Sequence, residues 1–547
     1  MNILFVLYGD LTSNSATPLA LYAREFAAHG HRCAVAIPSN LESVREHANP
    51  AFRTVLYADA LEHPDSIFAD GRAADVVHAW TPRENVRRFV TRYMAQRPAP
   101  LVIYLEDHES WISCWALGLE QEALLWQTEQ SVSDRSPDAL SHPFRYSSFI
   151  GLADAAVVIQ EKLGVEVPAW VSCDAVMSGV DLDFFSPRAA DRALRKRHGI
   201  ADNERVIVYP GGVNGFTRPG IETLCRAVGL MNRQGYPCRL LRTGPFALDF
   251  LDKLPQEAAQ AVVDLGVIPR ADLPDLLALA DVLVQPGKID AFEDLRLPGK
   301  LPEFFAMGRP VVTPDVNIGH LLRDGVDAVL THSGTAEEIA EKCMALFADP
   351  QQAEKIGLAG RKFAEKHFDV KLQALRLEAA YDTACARFDA SIAAQVWSLP
   401  VDINSVDLLL AHKLNLMTAS HGAESSLEIP GLLREHAQLI QSKRARINGL
   451  EAASVARDRQ VASLVQAVAE RDAQIASLNQ ALAERVGQLN SLHQTLAQRD
   501  EDALGLHTEL SNLRQAIHNL RQSASWRITS PLRWLGRQFK KLGSDSN

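Results

Sequence analysis

The stretch RLPGKLPEFFAMGRPVVTP, Arg296 to Pro314, reads as a loop, a helix and a buried strand. Pro298 and Gly299 break the chain, and Lys300 to Met307 carries apolar side chains at helical spacing. Gly308 stops that helix, and the apolar run Pro310 to Thr313 has the character of a parallel strand covered on both faces. Glu303 is thereby predicted in the first turn of the helix, beside loop amides that lack helical partners. Such amides, together with the positive end of the helix dipole, form an anion site. A carboxylate nearby repels a phosphate but accepts hydrogen bonds from sugar hydroxyls, a combination that suits a nucleotide-sugar. An ordinary helix-to-strand unit of a parallel sheet would look the same in isolation, so the surrounding sequence decides.

Outward from this stretch, short apolar runs alternate with helical patterns. In the first 175 residues the runs are Ile3–Tyr8, Cys33–Ile37, Asp75–Ala79, Leu101–Leu105 and Ala155–Ile159, with helices at about 18–29, 84–96 and 143–153. The pattern restarts at Arg205–Tyr209 and continues through Arg239–Arg242, Asp281–Gln285, Pro310–Thr313 and Ala328–Leu330. Alternation of this kind implies βαβ units and parallel sheets. The fold class expected is α/β, two doubly wound Rossmann-like domains followed by a long α-helical coiled coil. Ligands of such domains bind beyond the carboxyl ends of the strands. The expected boundaries are 1–175 and 176–370 for the two domains, 371–430 for a crossover helix and connecting segment, 431–522 for the coiled coil and 523–547 for a basic amphipathic tail.

The bulk properties narrow the setting. A chain of 547 residues has room for two or three domains. Its net charge of −11 argues against general nucleic-acid binding. Seven cysteines are scattered without paired spacing, so neither a zinc site nor a disulfide framework is expected, and a reducing compartment fits. The opening MNILFVLYGD reads as a first β-strand rather than a signal peptide, and no apolar run reaches the roughly 18 residues of a membrane span. The expected location is cytoplasmic.

Glu303, Ala306, Gly308, Pro310, Val311 and Val312 resemble the donor-binding segment of family-4 glycosyltransferases of the GT-B fold. Gly179, Val180, Asp181, Phe185 and Pro187 resemble the interdomain sequence of the same family. The resemblance covers roughly residues 1 to 385. It implies transfer of a sugar from a nucleotide-sugar to a saccharide or lipid-linked acceptor, with retention of configuration and with neither a metal nor a cofactor.

Site residues follow from the same comparison. The glycine-rich turn after Arg205–Tyr209 supplies Gly212 and Asn214, and its glycines can let a phosphate approach the backbone. Arg218, just before the next helix, can offer a diphosphate two donors. Thr243 and Ile268 stand in strand-end loops that tend to line the nucleotide. Arg296, Gly299 and Lys300 complete the donor set, with Lys300 placed to stabilise the departing phosphate. Glu303 orients the ribose or sugar, and His108, in Glu106-Asp107-His108, contacts the sugar at the reacting centre. Ser13 and Asn14 are the acceptor candidates.

The chain departs from the family at three points. Ser13-Asn14-Ser15 replaces a glycine pair. The second basic residue after Arg218 is absent, and Leu295 stands where the upstream glutamate of the signature belongs, with Glu293 and Asp294 out of register. These departures sustain an alternative, a catalytically weak GT-B domain serving as a coiled-coil scaffold for polysaccharide assembly. A sugar-phosphate epimerase on the same fold is disfavoured by the Gly-Val-Asp linker.

From Ile447 to Leu520 apolar residues fall on a seven-residue repeat, the signature of a coiled coil and a homo-oligomer. In the second seam leucines alternate with Arg457, Arg471, Arg485 and Arg499, so the true period is fourteen. From Arg521 onward six basic residues face one acidic, Asp545, in a segment whose leucines share a helical face beside Trp534. Such a tail predicts contact with a membrane surface. It also resembles the C-terminal tails of bacterial surface-polysaccharide enzymes, which sets the expected acceptor in surface glycan biosynthesis (O-antigen, capsule or similar).

Overall fold

The computed structural model describes residues 1–547 apart from 48, 125, 126, 128, 214, 216, 246–249, 401, 404, 421–427 and 543–547. It describes the backbone alone for 121, 122, 130, 419, 420, 428–456, 458, 459, 526 and 538–542. The chain forms two compact units, Met1–Ala437 and Gln438–Asn547.

The first unit holds two parallel sheets. One contains β1 (Asn2–Leu7), β2 (Arg32–Ile37), β3 (Phe52–Leu56), β4 (Val76–Trp80), β5 (Leu101–Leu105), β6 (Ala155–Val158) and β7 (Ser172–Ala175), in the order β3-β2-β1-β4-β5-β6-β7. The other contains β8 (Arg205–Pro210), β9 (Cys238–Thr243), β10 (Val262–Asp264), β11 (Val282–Val284), β12 (Val311–Pro314) and β13 (Val329–Thr331), ordered β10-β9-β8-β11-β12-β13. In each sheet the order reverses beside the first strand, which is where open α/β sheets leave a ligand crevice. Central strands such as β1, β4 and β5 are buried at every position, because helices cover both faces.

The helices that matter below are α1 (Ala16–Ala28), α2 (Glu84–Gln96), α3 (Glu109–Leu117), α4 (Arg218–Arg233), α5 (Leu301–Ala306) and α6 (Val370–Arg387). α5 is shorter than the run Lys300–Met307 suggests; Gly308, at φ 65°, ends it. The expected helix at 143–153 is confined to Tyr146–Gly151.

The Gly-Val-Asp linker is fastened to the start of α6. The Val180 amide donates to the Phe368 carbonyl at 2.7 Å, and the Val370 amide donates to the Val180 carbonyl at 3.1 Å. A Cβ on Gly179 would stand 2.7 Å from Val370 Cα, so no larger residue fits there without displacing the helix. α6 then packs back on β5, β6 and β7, where the Tyr381 hydroxyl lies 2.7 Å from His78 Nδ1. Two further helices, α7 (Ala390–Trp397) and α8 (Val406–Ser420), follow α6.

The described residues of the second unit are almost wholly helical. α9 spans Glu428–Gln522, 95 residues and about 140 Å long. Its described valines, isoleucines and leucines are exposed. α10 (Ala524–Ile528) and α11 (Ser530–Leu542) follow, with Leu532, Trp534 and Leu535 exposed.

Candidate functional site

The loops at the carboxyl ends of β8, β9 and β10 are tied into one structure. The Gly211 amide donates to the Thr243 carbonyl at 3.1 Å, Val213 to Pro245 at 3.0 Å and Gly244 to Gly266 at 2.7 Å. Gly244 has φ 94°, and a Cβ there would sit 2.7 Å from the Gly212 nitrogen, so only glycine fits. Beneath the loops lies Arg242, fully buried. Its Nη2 donates to the carbonyls of Thr243 and Gly244 at 2.8 Å and of Gly211 and Pro245 at 3.2 Å. Its Nη1 pairs with Asp264 at 3.1 Å. One guanidinium thus gathers carbonyls that would otherwise repel one another; burial pulls its pKa down, and Asp264 opposes that.

Lys300 covers this platform. Its Nζ lies 4.9 Å from the Tyr209 ring centre, and any side chain on Gly211 would collide with its Cε. One turn on, Glu303 accepts from Arg270 Nη2 at 2.9 Å. Burial raises the Glu303 carboxyl, while Arg270 and then Lys300 draw it down. Thr217 Oγ1 donates to the Gly212 carbonyl at 2.9 Å and so fixes the entry to α4. Arg218 bonds Glu222 at 2.9 Å through Nε and lies over the Phe250 ring.

The structure therefore brings Gly212, Thr243, Lys300 and Glu303 together at the strand ends of one domain. Gly299 is exposed at the turn before α5, and Ile268 is half-buried against the core. Asn214 lies outside the described residues. Arg296 lies toward the facing domain: its Nη1 is 3.3 Å from Glu293, its guanidinium rests on Phe292, and its charge opposes the burial that raises the Asp107 carboxyl. Leu295 packs into the core. Glu293, two residues earlier, is raised by burial and then lowered by Arg296.

The facing wall, built by the first domain, is acidic. Glu106 accepts from Ser15 Oγ at 2.5 Å and Trp80 Nε1 at 2.8 Å, and burial pushes its carboxyl up to about 7. Asp107 is raised by burial, with Arg296 and Arg83 opposing. Glu109, fully buried, lies 3.6 Å from Arg83 and accepts from Ser141 Oγ at 2.7 Å.

His108 is engaged at both ring nitrogens inside its own domain. Nε2 lies 3.2 Å from Glu166 and Nδ1 lies 3.1 Å from Ser110. At this strand end Asp107 feels the Arg296 charge of the opposite domain. Ser13 is half-buried against Gly9 and Asn14 is exposed, whereas Ser15 is the member of the first loop that reaches a wall carboxylate.

Aromatic and ionic contacts join the walls. Trp111 of α3 stacks on Phe292 at 5.7 Å and 12°, and a Cβ on Gly215 would meet Trp115 Cζ2 at 2.7 Å. Lys162 Nζ lies 2.5 Å from Asp294, whose carboxylate also takes the Asn317 amide at 2.8 Å and His320 at 2.6 Å. Arg242, Ser15 and these aromatic bridges escape a motif search because their roles depend on burial and on contacts distant in sequence.

Two doubly wound domains facing one another across such strand ends are the architecture of GT-B glycosyltransferases. Residues 204–349, within the second domain, match the family model "Glycosyl transferases group 1". The chain is 24% identical over 297 residues to a putative glycosyltransferase, EpsD, of Bacillus subtilis, covering 53% of this chain and 72% of that one. It is 29% identical over 207 residues to the GDP-mannose-dependent alpha-(1-6)-phosphatidylinositol monomannoside mannosyltransferase of Mycolicibacterium smegmatis. That match covers 36% of this chain and about half (53%) of the relative. Among solved structures, Anabaena Alr3699/HepE in complex with UDP-glucose superposes with a TM-score of 0.52 at 17% identity, over 70% of this chain and all of that one (100%). At that identity the likeness speaks for the fold alone.

Proposed function

We propose that the protein transfers a sugar from a nucleotide-sugar to a saccharide or lipid-linked acceptor in the assembly of a surface glycan, with retention of configuration and with no metal. The observation that carries this reading is Lys300 lying over the Gly211–Gly212 platform with the Glu303 carboxylate one turn away. The glycine turn lets a diphosphate approach the backbone, and Lys300 stabilises the charge that develops as the nucleoside diphosphate departs. Arg218, at the mouth of α4, adds a second cation once it turns from Glu222. Glu303, positioned by Arg270, accepts hydrogen bonds from ribose or sugar hydroxyls. The relative named for GDP-mannose dependence and the structural neighbour holding UDP-glucose support a nucleotide-sugar donor.

On the other wall, Asp107 takes the place at the reacting centre that the sequence suggests for His108, and Glu293 stands in for the carboxylate missing at Leu295. Ser13, Asn14 and Ser15 line the acceptor side. α9 joins copies of the chain as a coiled coil, and the basic tail lies on the inner membrane surface. No described helix is long and apolar enough to cross a membrane.

A scaffold with weak catalysis is favoured by one pair of observations, the packing of the partly buried Leu295 against the core and the engagement of His108 by Glu166 and Ser110. A panel of nucleotide-sugars separates the readings: the transferase binds at least one and hydrolyses it slowly without acceptor. No binding to any donor, with no change in cell-surface glycan for Glu303→Ala, sinks the enzyme reading.

A further inference from the structure

α9 carries a face that its own chain leaves uncovered. Every described valine, isoleucine and leucine of the two seams between Val461 and Leu520 is at least 47% exposed. In the second seam the arginines recur every fourteen residues, and three are followed directly by aspartate, at 457–458, 471–472 and 499–500. Among the described residues, none of Arg471, Arg485 and Arg499 forms an ion pair within its own helix; Arg485 instead reaches Gln488 at 3.1 Å.

We infer that this face pairs with a second copy of the chain, parallel and in register, an inference that rests on the coiled-coil reading above. In a parallel pair each second-seam residue lies beside its own counterpart and beside the residue after that counterpart. Arg471 of one copy then adjoins Asp472 of the partner subunit, and the reverse holds equally. The layer contains two arginines and two aspartates and is neutral. Arg499 and Asp500 repeat it about 42 Å further on.

The alternatives leave charge unpaired. An antiparallel pair sets the second seam against the partner's first seam of valine, isoleucine and leucine, so each guanidinium meets hydrocarbon. A parallel slip of one heptad sets every arginine layer against a leucine layer. Burying an unpaired guanidinium in either arrangement is costly, so the fourteen-residue period selects a parallel pair offset by zero or by whole periods, and the zero offset pairs the seams over their full length. Arg485, followed by Val486, is the exception, and its bond to Gln488 supplies a local partner. The pairing places both basic tails at the same end of the rod, where they meet one surface together.

Disulfide trapping in the full-length chain tests orientation. In a background with the exposed Cys173 and Cys385 changed to serine, Leu464→Cys of the second seam and Leu510→Cys of the first are made separately. Each variant is expected to cross-link to itself on mild oxidation, and a re-annealed mixture yields no 464–510 product. Sedimentation is expected to show two copies. A 464–510 cross-link without self-linkage overturns the parallel arrangement while leaving the coiled coil intact. A monomer at micromolar concentration overturns both, and a trimer overturns the pair. Arg471→Glu with Arg499→Glu is expected to weaken the dimer at least tenfold, with recovery when Asp472→Arg and Asp500→Arg are added. No weakening, or no recovery, overturns the cross-chain pairing.

Discussion

The two walls of the cleft share a strand order and differ in charge. Beyond β8, β9 and β10 the second domain presents Lys300 over a glycine platform braced from below by Arg242, with Arg270 paired to Glu303 one turn on. Beyond β4 and β5 the first domain presents Glu106 and Asp107, both raised by burial, with the buried Glu109 and Arg83 behind them. The same topology thus delivers a cationic wall and a carboxylate wall facing each other. A cationic wall suits the phosphates of a donor, and hydrogen-bonding carboxylates suit the hydroxyls of an acceptor. The fold positions both; the side chains at the strand ends decide which ligand each receives.

Breaking the cationic wall at its exposed end has the largest expected effect. Lys300→Ala is expected to lower donor-dependent turnover about 10²–10³-fold, measured as kcat with saturating acceptor. Glu303→Gln, which removes a charged acceptor but keeps the shape, is expected to cost about 10–100-fold in kcat/KM. Removing the brace, Arg242→Met, strands the carbonyls of Gly211, Thr243, Gly244 and Pro245. A loss of about 3 kcal/mol in denaturant unfolding is expected, together with weaker donor binding. Unchanged stability would mean that the platform holds itself.

The carboxylate wall is sharpened by pH. The Glu106 carboxyl rises from the ordinary 4.5 to about 7, so the folded state retains its proton longer than the unfolded chain. The resulting stabilisation is complete below about 4.5 and is lost as pH rises through about 7. Glu106→Gln, which cannot ionise, is expected to flatten that decline, gaining about 1–2 kcal/mol over the native chain at pH 8 relative to pH 5. Equal slopes would mean that Ser15 and Trp80 hold the charged form. The smallest effect is expected between the walls. Lys162→Ala removes a half-exposed ion pair to Asp294 and should change stability by less than about 1 kcal/mol, and less still at high salt.

Ten strands of the two sheets are legible as apolar runs, because burial on both faces erases alternation. The three that escape, β3, β7 and β10, stand at sheet edges and are only partly buried; Ser172–Ala175 has no fully buried position. Of the candidate site, the placement of Lys300 and Glu303 is legible because it follows from position at the entry and in the first turn of a helix. Arg242 is not, since an arginine ending CRLLRT reads as the exposed end of a strand and is in fact fully buried. Asp107 and Ser15 are hidden for a related reason. One residue's shift along a strand end or loop decides which side chain faces the cleft, and local pattern does not resolve a single residue.

The stack of Trp111 on Phe292 joins an indole in one domain to a ring in the other. Any motion that widens the cleft must part them and let water reach the indole, so the chain carries its own optical reporter of closure. Ligand titrations followed by tryptophan emission, with Trp111→Phe as the silent control, would register domain movement without an attached label.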